Sequence, residues 1–200
     1  MVSLQFEPAN SATGWPLAGA NDEERSTCAR LEISGRLPPQ WFANVAIHLA
    51  RAHAGIRSGH FACHGGCFEG ELVLNVDWAD SGLGDLKPVE LFCRRAELGL
   101  GRRWSVLERF YATLQPRGVY LYVNGVEDST GFLAMLLVGL ERLGLVPVEA
   151  DLETHAGHIY DELLLEPAGG STFLDPASVA ALPALLEGFL IRGVMGEDDS

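Results

Sequence analysis

His64-Gly65-Gly66-Cys67-Phe68-Glu69-Gly70-Glu71-Leu72-Val73-Leu74 and His155-Ala156-Gly157-His158-Ile159-Tyr160-Asp161-Glu162-Leu163-Leu164-Leu165 are two writings of one segment, 91 positions apart. The same displacement sets Ala43 on Ala134, Leu49 on Leu140 and Arg51 on Arg142 without a gap. A chain written twice needs one supersecondary plan that serves both halves. Each quoted stretch reads as a turn leading into a strand, since glycine at its start permits the positive φ angles of a tight hairpin.

Working outward, the first copy opens with the short strand Leu31-Glu32-Ile33-Ser34 and a turn containing Pro38 and Pro39. Val45, Leu49 and Ala52 recur at helical spacing and predict a helix over 41–54. Strands over 56–63 and 68–76 follow, joined by the His64-Gly65-Gly66 turn. A second helix is expected from about 86 to 98, with Pro88 suited to its first turn, although Val89, Leu91 and Cys93 also alternate as in a strand. The stretch 99–116 has no clear assignment.

The second copy reads as strand 118–124, helix 131–143, strands 146–154 and 158–165, and a helix to about 190 capped by Asp175-Pro176. Each half is therefore βαββα with room for a last strand. The expected fold class is α+β: two ferredoxin-like βαββαβ repeats, antiparallel sheets with helices on one face. The expected organisation is a flexible N-terminal arm over 1–29, a divergent first repeat over 30–115, a second repeat over 116–195, and an acidic tail over 196–200. Val2, Leu4 and Phe6 alternate within the arm and offer one edge strand. The helix over 131–143 is apolar nearly all round, so a partner must cover its second face. The other repeat or another copy of the chain is the natural cover.

Composition narrows the classes of function. With 200 residues, 48% of them hydrophobic, the chain can bury a substantial core. Its net charge of −13 and pI near 4.8 repel phosphate backbones and anionic lipid, so neither nucleic acid nor membrane is an expected partner. No signal-peptide pattern opens the chain, and four cysteines do not suggest a secreted disulfide scaffold. The expected location is the cytoplasm.

Asp128-Ser129-Thr130-Gly131-Phe132-Leu133, then Leu143-Gly144-Leu145, Thr154-His155-Ala156-Gly157 and Leu174-Asp175-Pro176, fall in an order that resembles the ACT domain. The resemblance spans about 119–190. It is closest to the regulatory ACT pairs of PII uridylyltransferases and glycine-cleavage regulators. In that family the loop is approximately Asp-x-Pro-Gly-x-Leu; Thr130 replaces the proline, and the first repeat offers Gly35-Arg36-Leu37-Pro38-Pro39-Gln40-Trp41 instead. What the resemblance implies is regulation: a small effector, commonly an amino acid, bound between paired domains and reported to a partner protein. Homo-oligomerisation, as a dimer, is part of that expectation.

Asp128, Ser129, Thr130, Gly131, Phe132 and Leu133 are the candidate ligand-binding residues. A helix N-terminus leaves N–H groups unpaired and favours a carboxylate, glycine permits close approach, and Asp128 can accept an ammonium group. The bland alternative is that Asp128, Ser129 or Thr130 only caps the helix. No catalytic residue is nominated, and the chain is not expected to be an enzyme.

His60, Cys63, His64 and Cys67 supply ligands for zinc or another thiophilic metal, or a thiol pair; no cofactor is otherwise expected. Residues of opposite parity on a strand face opposite ways, which favours ordinary hairpin cysteines. Arg94-Arg95 and Arg102-Arg103-Trp104 form a basic island, read as a solvated face paired with acids such as Glu97 and Glu108, or as a contact for phosphate or an acidic partner. The leading functional expectation is amino-acid sensing by tandem ACT-like domains. Its alternatives are a ligand-free interaction and assembly module, or a metal or thiol sensor through 60–67.

Overall fold

The computed structural model describes residues 6–8, 28–76, 88–97, 107–126, 131–169 and 173–190. Among them, eight strands form one antiparallel sheet: β1 (Phe6–Pro8), β2 (Cys28–Gly35), β3 (Gly55–His64), β4 (Cys67–Asn75), β5 (Leu107–Gln115), β6 (Gly118–Val126), β7 (Leu145–His155) and β8 (His158–Pro167). The helices are α1 (Trp41–Arg51), α2 (Pro88–Cys93), α3 (Phe132–Arg142) and α4 (Pro176–Glu187). Their apolar sides and one face of the sheet share a single core.

The strand order is β1-β2-β4-β3-β7-β8-β6-β5, so two four-stranded ferredoxin-like units meet edge to edge at β3 and β7. At that seam His60 stands opposite Asp151, the residue 91 positions further on. An approximate two-fold axis therefore passes through this pair. The displacement seen in the sequence is the internal symmetry of the sheet.

The last strand for which each unit had room is present, but it precedes the unit instead of following it. β1 lies beside β2, and β5 pairs with β6 across the two-residue turn at Pro116 and Arg117. The segment 107–115, read in the sequence as the end of the first repeat, thus forms the outer edge of the second unit. A two-residue loop closes at lower entropic cost than a longer return across the first unit. Residues 9–27 of the expected arm and the acidic tail 196–200 lie outside the described residues.

α2 stops at Cys93, short of the helix expected to reach 98. Side chains of α1 explain the early stop by taking up the carbonyls that another turn would have used. Asn44 Nδ2 donates to Phe92 O at 3.0 Å, His48 Nε2 to Arg94 O at 3.0 Å, and an Arg51 guanidinium nitrogen to Glu97 O at 3.5 Å.

The all-round apolar character of α3 is answered from within the chain. α1 of the other unit packs against it, and α4 approaches so closely that a Cβ on Gly139 would lie 2.6 Å from a methyl of Leu185. Phe132, Ala134, Leu136, Leu137 and Leu140 are buried. α4 begins as its sequence predicts, with the Asp175 carboxylate accepting from the Ala177 N–H at 3.0 Å. Arg95 adds a tie between units, reaching Glu141 of α3 at 2.6 Å.

Candidate functional site

One end of the sheet gathers the features of interest. β6 ends at Val126 opposite His158, β7 ends at His155 opposite the same residue, and Ser58 near the start of β3 lies opposite Glu153. The N-terminus of α3, which follows β6 after a short connection, is at this end too. Asp128, Ser129 and Thr130 lie outside the described residues. Gly131 is the N-cap of α3 with φ 134°, a conformation that L side chains rarely adopt, and among the described residues no side chain caps the helix there. The ring of Phe132 is in the core, 5.5 Å from that of Phe189, and Leu133 is partly buried against the same core. These two side chains serve packing, which leaves Gly131 as the described residue of the set with a backbone suited to close approach.

At the same end, where the two units meet, lies a cavity of about 490 Å³ lined by Cys28, Gly55, Ile56, Arg57, Ser58 and Asn75 of the first unit and Glu153, Thr154, His155 and Ala156 of the second. That volume is in the range of small-molecule pockets, about 300–1,000 Å³. Arg57 is placed by a β-bulge: Ile56 lies opposite Leu74 but Ser58 opposite Val73, so Arg57 is the extra residue. Bulges re-aim a side chain in this way. Its guanidinium lies 3.8 Å from Cys28 Sγ, and Thr154 Oγ1 donates to Ile56 O at 3.0 Å across the seam. Among the described residues, neither Arg57 nor Glu153 forms an ion pair. A cation and an anion from different units thus face one polar space.

Local sequence reading passes over this site because lone charges 96 positions apart form no motif. The usable signal was in the repeat alignment, where Ser58 and Asn75 replace Glu149 and Glu166 of the other copy. The alignment also exposes strain at the rim. Ala156 holds φ 52° where its counterpart is Gly65 at 61°. An L-residue in this left-handed region costs about 1–2 kcal/mol. Ala156→Gly is therefore expected to stabilise the chain by up to about 1 kcal/mol after the entropy gained by the unfolded chain, read as a higher urea midpoint; a lower midpoint would show that the turn is not strained.

The possible metal set does not assemble. Cys63 shares with Phe61 the face beneath the helices, whereas His60 and His64 project from the other; Cys67 stands opposite His64 and shares its face. Along β3, His60 and His64 are about 13 Å apart at ~3.3 Å per residue. Among the described residues, no group of three or more His, Cys, Asp or Glu side chains is arranged to hold a metal ion. Strand parity likewise separates Cys63 from Cys67, and all four cysteines are free thiols. The described part of the basic island is paired, Arg94 with Glu90 at 3.7 Å and Arg95 with Glu141. Those partners differ from the Glu97 and Glu108 expected; Arg102, Arg103 and Trp104 lie outside the described residues.

One buried acid was not anticipated. Asp161 of β8 is 6% exposed and lies between Val123 of β6 and Leu152 of β7 on the core face. Burial pushes its carboxyl up to about 7, against the opposing pull of a backbone hydrogen bond from Glu153.

The chain matches no protein-family profile and no curated protein. Among solved structures it is similar to aspartate kinase from Synechocystis, with 14% identity and a TM-score of 0.45 over 82% of this chain and 28% of that chain. It is also similar to the regulatory subunit of aspartate kinase from Thermus thermophilus in ligand-free form, with 18% identity and a TM-score of 0.29 over 82% of this chain and 93% of that chain. The chain thus spans about 28% of the length of the first of these proteins. No helix among the described residues is long and apolar enough to cross a membrane.

Proposed function

We propose that this chain is a regulatory sensor of the ACT type that binds a small metabolite, an amino acid in the first instance, and acts through a partner protein and not by catalysis. The supporting observation is the cavity at the seam, whose walls come from both units. A ligand held there contacts β3 and β7 together and favours one relative placement of the units, which is what a binding event must do to become a signal. The expected segment Asp128–Leu133 belongs to the same proposal, with the α3 N-terminus at the same end of the sheet. Cytoplasmic location and dimerisation complete this reading.

Assembly is the second reading, favoured by α4. Its outward residues Pro176, Ala177, Ala180, Pro183 and Ala184 are uncharged and exposed, and Phe173 beside them is 71% exposed. A thermal-shift screen of the amino acids, followed by calorimetry, separates the two. Sensing predicts a saturable rise in stability, about 2.7 kcal/mol at a hundredfold excess over Kd. Gly131→Trp is expected to weaken that binding if the ligand reaches the α3 N-terminus. A screen in which no amino acid binds would overturn sensing in favour of assembly.

A further inference from the structure

The two ends of the seam are related by the internal two-fold, yet among the described residues they are charged differently. At the far end, Arg117 is tied to Glu149 at 2.7 Å and to Glu166 at 3.2 Å. Under the 91-residue displacement these glutamates correspond to Ser58 and Asn75, both of which line the cavity at the near end. The bulge is repeated as well: β7 shifts register between Pro147 and Glu149, so Val148 occupies the position of Arg57. One end therefore carries an arginine whose charge is answered by two carboxylates of the chain. The other carries an arginine, two neutral residues in place of those carboxylates, and room for a small molecule.

We infer that the chain binds one such ligand and not two, and that the ligand supplies at the near end the charges that the chain supplies for itself at the far end. Its anionic group pairs with Arg57. Guanidinium is a fork of fixed donors that matches a carboxylate in two parallel hydrogen bonds. Its cationic group is met by Glu153, which projects beside Ser58 from across the seam. Asn75 and Ser58 offer neutral donors and acceptors between them. The ligand class is a small zwitterion with its opposite charges close together, and a molecule lacking either charge forgoes the pairing with Arg57 or with Glu153. This assignment rests on the sensing role proposed above, and it makes the near-end cavity, distinct from the α3 N-terminus, the place where charge is read.

The test is calorimetry on the full chain with each of the twenty standard amino acids, followed by the 2-hydroxy acid and the decarboxylated amine of the tightest. One molecule per chain is expected, with binding at least tenfold weaker in Arg57→Ala and in Glu153→Gln. The hydroxy acid and the amine should each bind the unaltered chain at least tenfold less tightly than the amino acid. A second variant guards against mere unfolding: Asn75→Glu places one of the two far-end carboxylates in the cavity with Arg57. It should retain its melting temperature while losing the ligand. Two molecules per chain, or an amino acid bound equally by the unaltered chain and Arg57→Ala, would overturn the assignment and leave sensing intact. Failure of every amino acid to bind the unaltered chain would overturn both.

Discussion

Replacing Trp41 by alanine is expected to remove about 3–5 kcal/mol of stability, a large part of what a domain of this size holds in reserve. Trp41 is fully buried at the start of α1. Its ring lies 5.3 Å from Phe42, 4.9 Å from Phe61, 5.4 Å from Phe68 and 5.7 Å from Phe92, so its loss empties the middle of an aromatic cluster. Neighbours held on a sheet and two helices can collapse only partly into such a space. Phenylalanine should cost much less, because most of the volume survives and the indole Nε1–H is a buried donor without a partner among the described residues. Urea unfolding of the two variants checks both statements. A loss below about 1 kcal/mol in Trp41→Ala would mean that the cluster does not carry this half of the core.

The second large effect concerns Asp161. Because burial raises its folded-state pKa from 3.8 to about 7, the folded chain holds this proton more tightly than the unfolded chain does. Its contribution is therefore fully present below pH ~4 and is lost as pH rises through about 7. The loss is on the order of a few kcal/mol. Asp161→Asn keeps an oxygen for the Glu153 backbone N–H but cannot ionise. It should be more stable than the unaltered chain at pH 8, with the advantage shrinking as pH falls toward 4. Paired urea titrations across that range give the difference directly. An advantage that does not vary with pH would show that Asp161 does not titrate in the folded chain.

Position 161 also shows how the copies diverged. Its counterpart is Gly70, where a Cβ would come within 2.2 Å of His60 O and 2.5 Å of Phe61 Cα. The first unit closes there with its aromatic cluster and the second admits a carboxyl group. Alignment reveals such a difference in residue type. Only packing reveals that one side chain is excluded and the other buried.

Much of the fold was legible because it depends on neighbours in the chain. The His64-Gly65-Gly66 and His155-Ala156-Gly157 turns, the apolar alternation of β8 and the Asp175 cap each act within a few residues, and each stands where the sequence places it. The demand that α3 be covered on a second face was legible too, since a helix apolar all round admits few surroundings. The early end of α2 was not, because the groups that end it belong to α1, more than 40 positions away.

By itself, then, the sequence determined the duplicated plan, its ferredoxin-like class and the identity of most strands and helices, since hydrophobic period and turn chemistry are short-range properties. Tertiary structure decided that β5 edges the second unit, that β3 and β7 join the units into one sheet, and that Arg57 and Glu153 share a cavity. Strand edges present much the same backbone hydrogen-bonding groups to any partner, and a lone charge carries no sign of what it will face. Those choices are made only when the competing long-range arrangements are weighed against one another in the folded chain.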